Sequence, residues 1–216
     1  VVALGAAAQA SVLQGTRSDV LLLDVIPLSL GIETVGGAVA KLLTRNATIP
    51  ARAKEMFSTS VDNQSHVQLH VLQGEREMVS DCRSLARFEL RDIPPMPAGI
   101  PQIEVEFLVD ANGVLHVTAG ERRSGRRATV QVVPSFGLTN EEIERIEHES
   151  IVHARSDMHH HRVVDLAVNS TLDIKWIGDA LLRTRDDLPS EYVDSLEALI
   201  TRLKGFISLA HTSPHD

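Results

Sequence analysis

Between Leu28 and about Pro134, short runs of apolar residues alternate with polar ones at a period of two. The clearest run is His66-Val67-Gln68-Leu69-His70-Val71. In a strand it turns Val67, Leu69 and Val71 to one face and His66, Gln68 and His70 to the other. Ile103 to Val109 repeats the device, with Ile103, Val105, Phe107 and Val109 inward. Asp110-Ala-Asn-Gly113 sits between two such runs and predicts a hairpin. Ser124-Gly125 predicts a second turn, and Gly36-Gly37 separates an early strand pair. Pro94, Pro95, Pro97 and Pro101 mark a stiff loop, because proline cannot join a central strand. Seven or eight short strands with short connections predict an antiparallel β-sandwich.

After Gly137 the period becomes helical. Thr139-Asn-Glu-Glu142 has the form of a capping box, with Thr139 as N-cap and Glu142 three residues on. Three helices are expected: Asn140 to His160 or beyond, Val163 to Leu182, and a third from Pro189-Ser-Glu191. In the third, Leu196, Leu199, Leu203 and Phe206 recur at helical spacing as a core-facing stripe. At the other end, Val1 to Leu13, closed by Gly15, reads as a short helix. The four apolar residues Val20, Leu21, Leu22 and Leu23 lie between Asp19 and Asp24. They fit either a buried strand or an exposed linker that docks on a partner domain.

Composition narrows the function. The chain has 216 residues, enough for one or two domains, and 43% hydrophobic content, enough for a core. A net charge of −8 argues against nucleic acid as a partner. No apolar run reaches the ~18 residues of a membrane span, and the Ala-rich start lacks the basic residues of a signal peptide. The chain does not begin with methionine and reads as part of something longer. The single cysteine, Cys82, fits a reducing compartment.

Candidate chemistry is sparse. His159, His160 and His161 point about 100° apart on a helix, so they cannot share one ion and read as a solvated face. His66 and His70 share a strand face but lie roughly 13 Å apart, so they read as surface histidines. Cys82 reads as a small packed residue, although Arg83 beside it leaves a reactive thiol open. The acidic residues read mostly as solvated. Neither a phosphate-binding glycine loop nor a nucleophile elbow is present. These readings describe a protein that is not itself an enzyme.

Several stretches together resemble the heat-shock seventy (Hsp70) family of ATP-driven chaperones: Asp19-Val-Leu-Leu-Leu-Asp24 with Val25 to Thr34, Asn46-Ala-Thr-Ile-Pro50, Phe57-Ser-Thr59 with Asp62-Asn-Gln64, Val71 to Glu77, and Pro101-Gln-Ile-Glu-Val105 leading to Asp110-Ala-Asn-Gly113. Ser80 to Phe88 and Pro97-Ala-Gly99 are similar to the branch that serves iron–sulfur cluster assembly (HscA-type) rather than the general DnaK-type branch. The resemblance implies residues 1–18 as the end of an ATPase domain, 19–24 as an interdomain linker that includes Val20, Leu21, Leu22, Leu23 and Asp24, 25–136 as a substrate-binding sandwich, and 137–216 as a helical-bundle lid. It implies that Phe57, Val67, Leu69 and Ile103 line a central peptide pocket with Ile32 and Thr34 nearby, and that Val35 and Ser60 form an arch over the peptide. Strand alternation alone would make Val67 and Leu69 plain core. The general branch carries arginine at the position of Ala98, where it helps latch the lid, so the resemblance implies a lid lacking that electrostatic latch.

Extended hydrophobic peptides, an iron–sulfur scaffold protein, a J-domain co-chaperone and the chain's own ATPase domain are the implied partners, with neither nucleic acid nor membrane among them. ATP and magnesium are implied for the full-length protein and no cofactor for this stretch. The bacterial cytoplasm is the implied compartment, ahead of the mitochondrial matrix. A general folding chaperone is the nearest alternative, and a permanent structural interaction module the alternative of another class.

Overall fold

The computed structural model describes residues 24–134 and 137–212. The expected helix over Val1 to Leu13 and linker residues Val20 to Leu23 lie outside the described residues. Eight strands come first: β1 (Leu30–Glu33), β2 (Val39–Leu43), β3 (Ala51–Phe57), β4 (His66–Gln73), β5 (Arg83–Arg91), β6 (Ile103–Val109), β7 (Leu115–Glu121) and β8 (Arg127–Val132). Two helices follow, α1 (Asn140–Thr184) and α2 (Ser190–Thr212). The strands form two antiparallel four-stranded sheets, ordered β2-β1-β4-β5 and β3-β6-β7-β8.

The period-two pattern explains the core. Ile103, Val105, Phe107 and Val109 are buried, and Leu115, Val117 and Ala119 of β7 are buried with them. They meet Leu30, Ile32, Leu69 and Val71 from the facing sheet. Each such aliphatic burial is worth about 1.5–3 kcal/mol, so alternation fixes the register of each strand. The Asp110–Gly113 hairpin forms as expected. Gly113 takes a φ of +75°, and the Asp110 carboxylate accepts the N–H groups of Asn112 (2.8 Å) and Val114 (3.0 Å). The proline-rich stretch from Asp92 to Gln102 is the expected loop between β5 and β6.

Three helical expectations are corrected. The helices expected over Asn140–His160 and Val163–Leu182 are one helix of 45 residues. The chain between them, His160-His-Arg-Val163, holds no glycine or proline to stop a helix that the capping box has started. That box is formed in full: Glu142 N–H donates to Thr139 Oγ1 (3.2 Å) and Thr139 N–H to Glu142 Oε2 (3.1 Å). The stripe on α2 does not face a core. Leu199, Leu203 and Phe206 are exposed, because α2 packs chiefly against α1, with Val193 its buried residue. Finally, the helical lid that was expected is built, among the described residues, from two helices rather than three.

The long helix α1 lies across the end of the sandwich as a lid. Val164 packs with Val168 against Ala38 and Met78 from the sandwich loops. A Cβ on Gly36 would sit 2.3 Å from Val164 Cγ1, and the residue's φ of +91° also excludes ordinary side chains. Glycine at position 36 thus permits this close approach. No helix among the described residues is long and apolar enough to cross a membrane.

Candidate functional site: an apolar groove under a helix

A groove of about 1070 Å³ opens between the ends of the two sheets and the underside of α1. That is at the upper end of the range for ligand sites, about 300–1,000 Å³. All eight residues singled out from the sequence line it: Ile32, Thr34, Val35, Phe57, Ser60, Val67, Leu69 and Ile103. Ile32, Leu69 and Ile103 are buried, while Phe57 and Val67 are half-buried and form the accessible apolar floor. Val35 and Ser60 are exposed at the rim.

The loops that carry the rim are held by their own backbone. Thr34 N–H donates to Ala38 O (2.9 Å), and Thr34 Oγ1 donates to the same oxygen (3.2 Å). On the other side, Gly99 N–H donates to Thr59 O (2.9 Å) and Ser58 Oγ to Pro101 O (2.7 Å). Thr59 itself lines the groove, and its buried hydroxyl has no hydrogen-bond partner among the described residues.

The sequence reading missed the groove's other wall. His161, Asp165, Val168 and Leu172 line it from α1, with Asn169 and Thr171 beside them. Positions 161, 165, 168 and 172 lie on one face of a helix, a spacing legible in the sequence once a single helix is granted. Glu33, His70 and Arg87 were missed on the sandwich side.

His70 is buried, contrary to its reading as a surface histidine. Its Nδ1 lies 2.6 Å from Glu33 Oε2 and its Nε2 2.8 Å from Ser84 Oγ, tying β1, β4 and β5 together. Two hydrogen bonds make its burial tolerable. Cys82 is partly buried, and burial pushes its thiol up to about 11. It is a packed residue with little thiolate at neutral pH. Arg83 turns away from it, toward Gln73 Oε1 (3.4 Å) and Pro134 O (3.5 Å). Most acidic residues are solvent-facing, but Glu121 and Asp157 are buried.

The lid is tied to the sandwich by ion pairs, although Ala98 stands at the position of the general branch's arginine latch. Arg76 binds Asp157 through both Nε and Nη2, the second at 3.0 Å. Burial alone would raise the Asp157 carboxyl, but the Arg76 guanidinium outweighs it and holds the group below the usual range. Glu77 accepts from Lys41 Nζ (2.6 Å) on the sandwich and meets His161 Nδ1 (2.7 Å) on α1. Burial would raise Glu77 as well, and its hydrogen bonds with Lys41 first and His161 second lower it. His161 is therefore a docking residue and not part of a solvated face. Arg45 pairs with Glu147 at 2.5 Å, and Lys175 pairs with Asp62. Asp62 also accepts the backbone N–H of Ala98 (2.8 Å), so this tie falls at the very loop where the arginine is missing. Its carboxyl is lowered by the Lys175 hydrogen bond first and that of Ala98 second.

A sandwich with a preformed apolar groove, roofed by a helix on breakable ionic ties, defines a lidded binding domain for a ligand with apolar side chains. The sequence model described as Hsp70 protein matches residues 1–213. The chain belongs to the Hsp70 family. It is 47% identical over 214 residues to the chaperone protein HscA homolog of Shewanella loihica, which places it in the HscA-type branch. That alignment covers 98% of this chain and 34% of the relative's length.

Proposed function

We propose that this chain is the peptide-binding and lid region of an ATP-driven chaperone dedicated to iron–sulfur cluster assembly. The observation that carries the reading is the convergence of Ile32, Phe57, Val67, Leu69 and Ile103 on one groove beneath α1. An extended peptide offers an apolar side chain to such a floor and its backbone to the flanking loops. One buried aliphatic side chain supplies only about 1.5–3 kcal/mol. Loop contacts and closure of α1 supply the remainder.

In the whole protein, residues 1–18 would end the ATPase domain, and 19–24 would be the linker that couples it to the sandwich. ATP and Mg²⁺ would be held by the ATPase domain; no residue of this chain is assigned to them. ATP binding would open the lid and hydrolysis would close it, with a J-domain co-chaperone stimulating the cycle. The client would be a cluster scaffold protein in a bacterial cytoplasm. The HscA-type branch, which carries this part of the reading, is known for a Leu-Pro-Pro-Val-Lys motif.

Fluorescence anisotropy with two labelled peptides tests the proposal. A peptide carrying Leu-Pro-Pro-Val-Lys is expected to bind more tightly than a Leu-rich peptide. Preference for the Leu-rich peptide would reassign the chain to general folding. Binding of neither would leave a structural interaction module as the better description.

A further inference from the structure

The turn between β7 and β8 concentrates positive charge in an acidic protein. Arg122, Arg123, Arg126 and Arg127 bracket Ser124-Gly125 in a chain of net charge −8. The turn is built to hold them outward. Buried Glu121 accepts the N–H groups of Arg123 (3.0 Å) and Ser124 (2.6 Å), Gly125 takes a φ of +68°, and all four arginines are exposed. Their ion pairs are loose: Arg122 to Glu104 at 3.7 Å and Arg126 to Asp92 at 3.8 Å, with both arginine side chains about 60% exposed. Arg123 Nη1 lies 3.2 Å from Met96 Sδ.

This hairpin stands at the groove end of its sheet. Glu121 pairs across the ladder with Ile103 of the groove floor, and Arg122 N–H donates to Gln102 O (3.0 Å). The loop between β5 and β6 joins the two places. Its Gly99 lines the groove, while its Met96, Ile100 and Gln102 line a small cleft of about 200 Å³ with Arg122 and Arg123. Ile100 is 48% exposed there.

We propose that the cationic hairpin and the Ile100 cleft form a second subsite for the bound polypeptide, taking an acidic stretch that flanks the segment held in the groove. The proposal rests on the groove reading above. Neighbouring strands lie about 4.8 Å apart and an extended chain advances about 3.3 Å per residue, so about two residues past the groove cover the one strand spacing between Ile103 and the hairpin. A nucleic acid is disfavoured, because a chain of net charge −8 offers four arginines on one turn rather than the extended basic surface that a run of phosphates needs.

The test uses the 216-residue chain and labelled peptides with one apolar core and three flanking residues, Glu or Gln, at either end. At low salt, Glu at one end is expected to tighten binding about three- to tenfold over Gln, with the gain shrinking in 0.5 M salt. Arg122→Gln/Arg123→Gln/Arg126→Gln is expected to abolish the gain and leave the Gln-flanked peptide unchanged. Arg123→Gln alone carries the test if the triple variant melts early, with at least a halving of the gain expected. No gain at either end, or a gain that survives the substitutions, overturns the subsite and leaves the groove reading intact. Failure of the Gln-flanked peptide to bind at all overturns both. A single-stranded oligonucleotide that binds the wild type at 0.15 M salt and not the variant overturns the proposal in favour of a nucleic-acid contact.

Discussion

Val67 separates two roles that strand alternation cannot. Its neighbours Leu69 and Val71 on the same face are buried, yet Val67 is only half-buried and borders the groove. Val67→Phe is expected to fill the floor and weaken peptide binding at least tenfold by anisotropy, with the melting temperature shifted by no more than a few degrees. Unchanged affinity in a folded variant would remove Val67 from the site. The alternation at 66–71 and 103–109 was readable because a strand has one burial period. The burial of His70 was not readable. It depends on Glu33 and Ser84, which lie 37 and 14 residues away and meet it only after three strands pair. The eight groove residues were legible through resemblance, since the same apolar spacing alone describes plain core.

Among the elements, α1 carries the largest departure from the sequence reading. Helix starts have local signatures, and the Thr139 capping box was visible; continuity shows only as a lack of glycine or proline at 160–163, a weaker sign, so one helix was read as two. The same gap hid the groove wall of His161, Asp165, Val168 and Leu172. Arg76→Ala tests what holds this helix down. The Arg76 side chain is 14% exposed and that of Asp157 9%, so removing the cation leaves a poorly solvated carboxylate. The helix can lift and rehydrate it, so the loss is read as lid opening rather than unfolding. Hydrogen bonds to charged groups are worth about 1.5–3 kcal/mol, so peptide dissociation is expected to quicken at least tenfold. Stopped-flow release of a labelled peptide measures this, and an unchanged rate would show that Arg76 does not gate the groove.

Across the whole molecule the sandwich and the lid rest on different forces, and solution conditions separate them. The sandwich core is apolar, whereas the lid is docked through Asp157 and Asp62, whose carboxyls are lowered by Arg76 and Lys175 across the joint. Groups lowered by docking favour it fully above the free carboxylate pKa, near 4, and that contribution is lost as pH falls through the docked values. Lid opening is therefore expected below about pH 4, before the sandwich unfolds. A fluorescence-transfer pair on β2 and α1 would report the first event and strand circular dichroism the second; coincident transitions would contradict the separation.

The length of α1 adds a mechanical consequence. At about 1.5 Å per residue, Glu147 lies about 12 Å from the capped start at Thr139 and Lys175 about 54 Å. For a rotation of about 5° about that start, Lys175 swings roughly 5 Å and Glu147 roughly 1 Å. On such a turn the Lys175–Asp62 tie would part while Arg45–Glu147 stays engaged, so the long helix would act as a lever that amplifies a small turn at its base. A captive chain would leave first by the far rim, and reinforcing the Lys175–Asp62 contact would slow departure more than reinforcing a pair near the base.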